Sequence, residues 1–173
     1  MVDVAVLDET CDDDIASWLG DRLRRAGAEL GAVGELSVAV VDDERMARLH
    51  LEHKGQAGPT DVLSFDLSDA AAAAEPGGAA AAVAGDVIVC WPEAQRQSAE
   101  RGHGARAELL LYAVHGLLHL LGYDDREPGD FERMHAQEDR VLVAIGESAV
   151  YSSDSPPCGS AGASPCRASG GGS

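Results

Sequence analysis

Apolar residues recur along the chain in two rhythms, and the switches between them mark out the elements. Val2 to Leu7 alternates weakly and is β-rich, which predicts a first strand. Asp12, Asp13 and Asp14 then put negative charge at the start of a helix whose stripe is Ile15, Trp18, Leu19, Leu23 and Ala26. Leu36 to Val41 reads as a second strand. Asp42-Asp43-Glu44 opens another helix, with Met46, Leu49 and His53 loosely along one side. Gly55 to Pro59 breaks the pattern before a third strand, Thr60 to Leu67. Residues 69–84 hold ten alanines with Pro76, Gly77 and Gly78, and read as a low-complexity insertion, a loop or frayed helix far from the chemistry. Gly85-Asp86 turns the chain into Val87-Ile88-Val89-Cys90-Trp91, a short apolar run typical of a buried strand.

From Pro92 the reading is helical. Pro92 suits a first helical position, and that helix ends near Arg101; Arg106 to Leu121 forms the next, closed by Gly122. Phe131 to Ile145 is the last, with Met134, Glu138, Val141, Leu142 and Ile145 in helical register. After Gly146 the chain is Ser, Gly, Pro and Ala, which bury too little apolar surface to fold. The expectation is one α+β domain over 1–146, with about four strands and five helices, and a disordered tail over 147–173.

Composition narrows the class of function. With 13 Lys+Arg against 30 Asp+Glu, the formal net charge of −17 repels nucleic acid and anionic membranes at long range. Any action on RNA has to overcome this field locally, so the charge counts against such a function; an acidic surface adapted to a salty cytoplasm is a bland alternative explanation of it. Cys11, Cys90, Cys158 and Cys166 form no C-x-x-C pair, which speaks against a disulfide framework or a cysteine zinc site. The acidic N-terminal stretch lacks the layout of a secretory signal, and no apolar run has the length of a bilayer span. A cytoplasmic protein is expected.

The chemistry concentrates in Leu109 to Leu121, Leu-Leu-Leu-Tyr-Ala-Val-His-Gly-Leu-Leu-His-Leu-Leu. A helix apolar on all sides is buried on all sides, so its two histidines need partners. His115 and His119, four residues apart, share one face and can reach a single metal ion. Two core histidines, each bonded to protein, are the plain alternative. Gly116 removes a side chain where a substrate backbone can approach. Gly122 then lets the chain turn back, so that a third ligand ten residues beyond His115 completes a cage. A zinc peptidase of the H-E-x-x-H kind is disfavoured, because Gly116 occupies the position of the general base.

His115-Gly116-Leu117-Leu118-His119-Leu120-Leu121-Gly122-Tyr123-Asp124-Asp125 resembles the signature of the YbeY family, bacterial endoribonucleases that mature ribosomal RNA. Pro59-Thr60-Asp61-Val62-Leu63-Ser64-Phe65 resembles the family's central strand, and Gly85-Asp86-Val87-Ile88-Val89-Cys90 its next strand. The resemblance covers roughly residues 1–146 and implies a small mixed sheet flanked by helices, with one zinc ion at the edge of a cleft. It puts the first two metal-binding histidines at His115 and His119. The third falls on Asp125, a departure from histidine to a carboxylate, which is also a competent zinc ligand. Asp124 competes for that role through a small backbone shift, and His135 is a more distant alternative. The family's RNA-handling arginine falls on Lys54, which keeps the charge but loses the bidentate fork. His50 and His53 read as surface or half-buried residues, and Ser64 and Asp86 as turn or pocket-lining ones.

The resemblance therefore implies metal-dependent cleavage of single-stranded RNA in the processing of small-subunit 16S ribosomal RNA at its 3′ end, with the small ribosomal subunit as a partner and neither DNA nor membrane. The competing readings are a weakened ribosome-assembly factor of the same fold, a metal-dependent hydrolase of a small molecule or peptide, and a structural zinc domain.

Overall fold

The computed structural model describes residues 1–10, 13–68 and 81–151. Within them the order is β1 (Val2–Asp8), α1 (Asp13–Glu29), β2 (Ala32–Val41), α2 (Asp43–Lys54), β3 (Val62–Asp66), β4 (Ala81–Cys90), α3 (Trp91–Arg101), α4 (Ala105–Leu120) and α5 (Pro128–Ala144). The strands form one mixed sheet in the order β1-β2-β4-β3; β1, β2 and β4 run parallel, and β3 pairs antiparallel to β4 at one edge. This is the small mixed α+β architecture that the patterning and the resemblance imply.

Two cores of unequal size lie on the two faces. The larger joins Val2, Val4, Leu36, Val87 and Val89 of the sheet to Ile15, Leu19 and Leu23 of α1, to α4, and to Met134, Val141 and Leu142 of α5. The smaller sits under α2, where Met46 and Leu49 meet Leu63, Val41 and Cys90. Helix α4 is buried nearly all round, from Glu108 to Leu118, as its unbroken apolar run requires. Asp42 caps α2 by accepting from the Arg45 N–H at 2.7 Å, and Gly55, at φ 68°, ends it. Cys90 is a packing residue: its thiol donates to Asp43 at 3.3 Å, and burial pushes its pKa up to about 12.

Four boundaries differ from expectation. Strand β2 begins at Ala32 and β4 at Ala81, so Gly85 and Asp86 lie within a strand and do not form a turn. Alanine is a weak strand former, and here the hydrogen bonds come from the parallel partner, which is in register from Ala32↔Ala81 to Val41↔Cys90. Gly34 permits this approach: at φ 131°, a Cβ on it would lie 2.0 Å from the Val83 carbonyl oxygen. Of the expected insertion, residues 69–80 lie outside the described residues. Helix α5 starts at Pro128, three residues before Phe131, with proline in its first turn. The chain is also held beyond residue 146. Glu147 pairs with Arg22 at 2.6 Å, and Asp139 accepts the Val150 and Tyr151 N–H groups at 2.7 and 3.0 Å. The remainder of the expected tail, 152–173, lies outside the described residues.

Gly116 also has a different role from the one its position suggests. It faces the sheet, and a Cβ there would sit 2.7 and 2.9 Å from the two methyls of Val87 and 3.4 Å from Val62. It sets how closely α4 lies on β4 and β3, and is buried away from any substrate. Alanine favours a helix interior by about 1 kcal/mol over glycine, but overpacking a tight core costs about 1–3 kcal/mol. Gly116→Ala is therefore expected to destabilise the protein in urea titration, and Val87→Ala in the same chain to recover part of the loss.

Candidate metal centre

Helix α4 brings His115 and His119 out of the core on its cleft-facing side, with the rings nearly perpendicular at 84° and their centroids 4.5 Å apart. What fixes each ring is its Nδ1. His115 Nδ1 lies 2.7 Å from Oε1 of Glu138, a fully buried carboxylate on α5. His119 Nδ1 lies 3.0 Å from the Tyr123 carbonyl oxygen. Both partners accept, so each Nδ1 carries the hydrogen and each neutral ring keeps its lone pair on Nε2. Those Nε2 atoms are 3.0 Å apart. Two converging lone pairs at that distance repel unless positive charge lies between them.

The third donor arrives through the end of α4. Gly122 adopts φ 86°, its N–H donating to the His119 carbonyl and that of Tyr123 to the Leu118 carbonyl, both at 3.0 Å. This pair of bonds is a Schellman stop, and it reverses the chain sharply. The reversal places the Tyr123 carbonyl on His119 and brings Asp125 Oδ2 to 3.8 Å from His115 Nε2 and 3.9 Å from His119 Nε2. Donor atoms of His115, His119 and Asp125 all fall within 4.8 Å of one another. A tetrahedral ion ~2.0–2.2 Å from each donor separates donors by roughly 3.3–3.6 Å, so the set fits one metal after small adjustments.

The other candidate ligands are engaged elsewhere. Asp124 accepts from the Asp125 and Arg126 N–H groups and from the Arg126 guanidinium, which holds its pKa down at about 2. His135 sets Nδ1 2.7 Å from Oε2 of Glu138, so one buried carboxylate holds two histidines. His50 bonds the Gly58 carbonyl at 2.9 Å, and His53 packs edge-on to Phe65 at 4.8 Å. Asp86 is half-buried within β4.

The trio opens into a cleft of about 520 Å³, lined also by Lys54, Asp61, Ser64, Arg101, Phe131 and Tyr151. It continues past Lys54, Ser64 and Asp125 into a second hollow of about 470 Å³ reaching Arg126. Lys54, the last residue of α2, is exposed at the junction. The sequence marks Arg101 only as a helix end, with no role in the site. It lines the cleft while paired at 2.7 Å with fully buried Glu108 on α4. The orienting role of Glu138 also went unassigned; the available signal was an acid among Met134, Val141 and Leu142, in a stripe otherwise apolar.

Fold and centre together define an α+β protein with a site of two histidines and one carboxylate in a cleft beside a small mixed sheet. The family model described as Endoribonuclease YbeY matches residues 3–146. A relative named endoribonuclease YbeY from Moorella thermoacetica is 39% identical over 140 residues, 78% of this chain and 88% of the relative. One of the same name from Halorhodospira halophila is 41% identical over 123 residues, 70% of this chain and 77% of the relative. The fold is shared with a Thermotoga maritima protein of known solution structure, at a TM-score of 0.58 and 24% identity over 91% of this chain and 99% of that one. The chain belongs to the endoribonuclease YbeY family.

Burial opposes a charge on His115, but the hydrogen bond and charge of Glu138, reinforced by Asp125 and Asp61, outweigh it and raise the pKa above the ordinary 6.5. In chelator, nuclear magnetic resonance titration should find His115 keeping its proton to higher pH than a free imidazole. Glu138→Gln should bring the midpoint down, because burial then acts with less opposition.

Proposed function

We propose that this chain is a zinc-dependent, single-strand-specific endoribonuclease of the cytoplasm, acting on ribosomal RNA at the 3′ end of the small-subunit 16S species. The observation that carries this reading is the convergence of two Nε2 atoms and a carboxylate oxygen in a cleft that also holds Lys54. Family membership supports the reaction type. Among the described residues no helix is long and apolar enough to cross a membrane.

His115, His119 and Asp125 would hold the ion, whose contribution when bound is Lewis acidity toward a phosphate oxygen or water. Glu138 and the Tyr123 carbonyl take the Nδ1 hydrogens, which orients the two imidazoles and turns their Nε2 atoms toward one point for binding. Lys54 places a cation at the cleft junction, where it stabilises the negative charge that grows on the phosphate during cleavage. Gly116, in the core, offers no proton acceptor.

Asp125 gives this reading its one close rival. Standing where the resemblance implies histidine, the carboxylate makes the site one charge less positive, so it attracts phosphate less strongly. A weakened nuclease that serves ribosome assembly has the same architecture. Asp125→His separates the two: a large gain in RNA cleavage marks a degenerate site, and unchanged or lower cleavage marks an enzyme adapted to aspartate.

Elemental analysis of the purified protein should find about one zinc per chain, lost in His119→Ala and Asp125→Ala. Glu138→Gln should weaken metal affinity by roughly 10–100-fold. Lys54→Ala should keep the metal and lower kcat on single-stranded RNA by roughly 100-fold. Metal-loaded protein that cuts no more RNA than His115→Ala would sink the nuclease reading, and unfolding on chelation without turnover would point to a structural zinc domain.

A further inference from the structure

One end of the cleft is aromatic. Phe131 and His135 lie four residues apart on α5, their rings edge-to-face with centroids 4.0 Å apart. Tyr151 packs on His135, the ring centroids 3.8 Å apart and the planes tilted by 37°. All three line the cavity that holds the metal trio. They are also held in place. His135 is tied to buried Glu138, and Asp139 accepts the backbone N–H groups of Val150 and Tyr151. Yet Phe131 stays 50% exposed and Tyr151 43% exposed, so part of each ring is open to a ligand.

We infer that Phe131, His135 and Tyr151 form a stacking platform for an unpaired nucleobase next to the cleaved phosphate. The inference rests on the nuclease reading for its substrate and adds how that substrate is gripped. Every base has a π-face, so stacking on aromatic rings is tolerant of sequence. It also needs no cation, which matters in a chain of net charge −17 whose cleft arginine is already paired with Glu108. In a duplex both faces of a base are covered by its neighbours, so such a platform accepts single strands and rejects double-stranded RNA.

The test measures binding apart from cleavage. The full chain carrying His115→Ala, checked for folding by circular dichroism, is titrated with a short single-stranded RNA and with a series bearing one abasic residue at each position in turn. The wild-type chain in chelator serves as a second inactive background. Adding Phe131→Ala and Tyr151→Ala should weaken binding of the intact RNA by roughly tenfold or more, the size of one lost base–aromatic stack. At one abasic position the same changes should cost almost nothing, because the base is already missing, and Phe131→Trp should retain tight binding to the intact strand. Absence of single-strand binding, an unchanged affinity in the alanine variant, or an equal loss at every abasic position overturns the platform. If the abasic coupling appears while active protein cuts no RNA, the nuclease reading falls and the platform stands. RNA cleavage without the coupling has the opposite meaning.

Discussion

The site depends on two hydrogen bonds made by the histidines at their far nitrogens. Glu138 and the Tyr123 carbonyl each take an Nδ1 hydrogen, and in doing so they turn two lone pairs toward one point. A free imidazole exchanges tautomers readily and rotates about its side-chain bonds. Here both freedoms are removed before any ion arrives, so little of the binding free energy is lost to ordering the ligands. The other features of the centre follow from supplying those two acceptors. Helix α5 has to bring a buried acid against α4, and α4 has to end in a reversal that presents a carbonyl to its own last turn. The close seat of α4 on the sheet at Gly116 fixes the height of the whole assembly.

The charge distribution is the second constraint. The repulsion exerted by a large acidic excess fades with distance, because interactions between exposed charges are screened beyond about 10 Å at ordinary ionic strength. Inside the cleft the balance is different. Asp124 is neutralised by Arg126, and Glu108 by Arg101, while Lys54 stands exposed between the two hollows. The local field in the cleft is therefore set by His115, His119, Asp125, Asp61 and Lys54, with any cation the trio would hold.

Much of this was legible in the residues, for identifiable reasons. Helices α1, α3 and α4 are marked by long periodic or unbroken apolar runs and by Pro92, Gly102 and Gly122, features that act locally. The spacing of His115 and His119 lies on one helix, so sequence distance converts directly to spatial distance. The start of β4 was hidden because its alanines are held by a parallel partner nearly fifty residues earlier, a contact without a local signature. Gly116 was misjudged on similar grounds: its position between two histidines suggests the active face, but a helix turns by a quarter or more between neighbours, and this residue points into the sheet. The resemblance pointed to Asp125 as the third ligand, but the engagement of its competitor Asp124 shows only in the positions of Arg126 and the turn amides. Arg101 and Tyr151 reach the cleft from segments that carry no motif at all.

The pairing of β3 with β4 gives this edge of the sheet two unlike ends. Their ladder runs from Val62↔Val89 to Asp66↔Gly85, and the cleft draws on residues 61–64, at the start of β3. The connection between the two strands leaves from the opposite end of that ladder. A change at the Val62 end of the ladder therefore bears directly on the cleft, whereas one at the Asp66 end lies outside its lining.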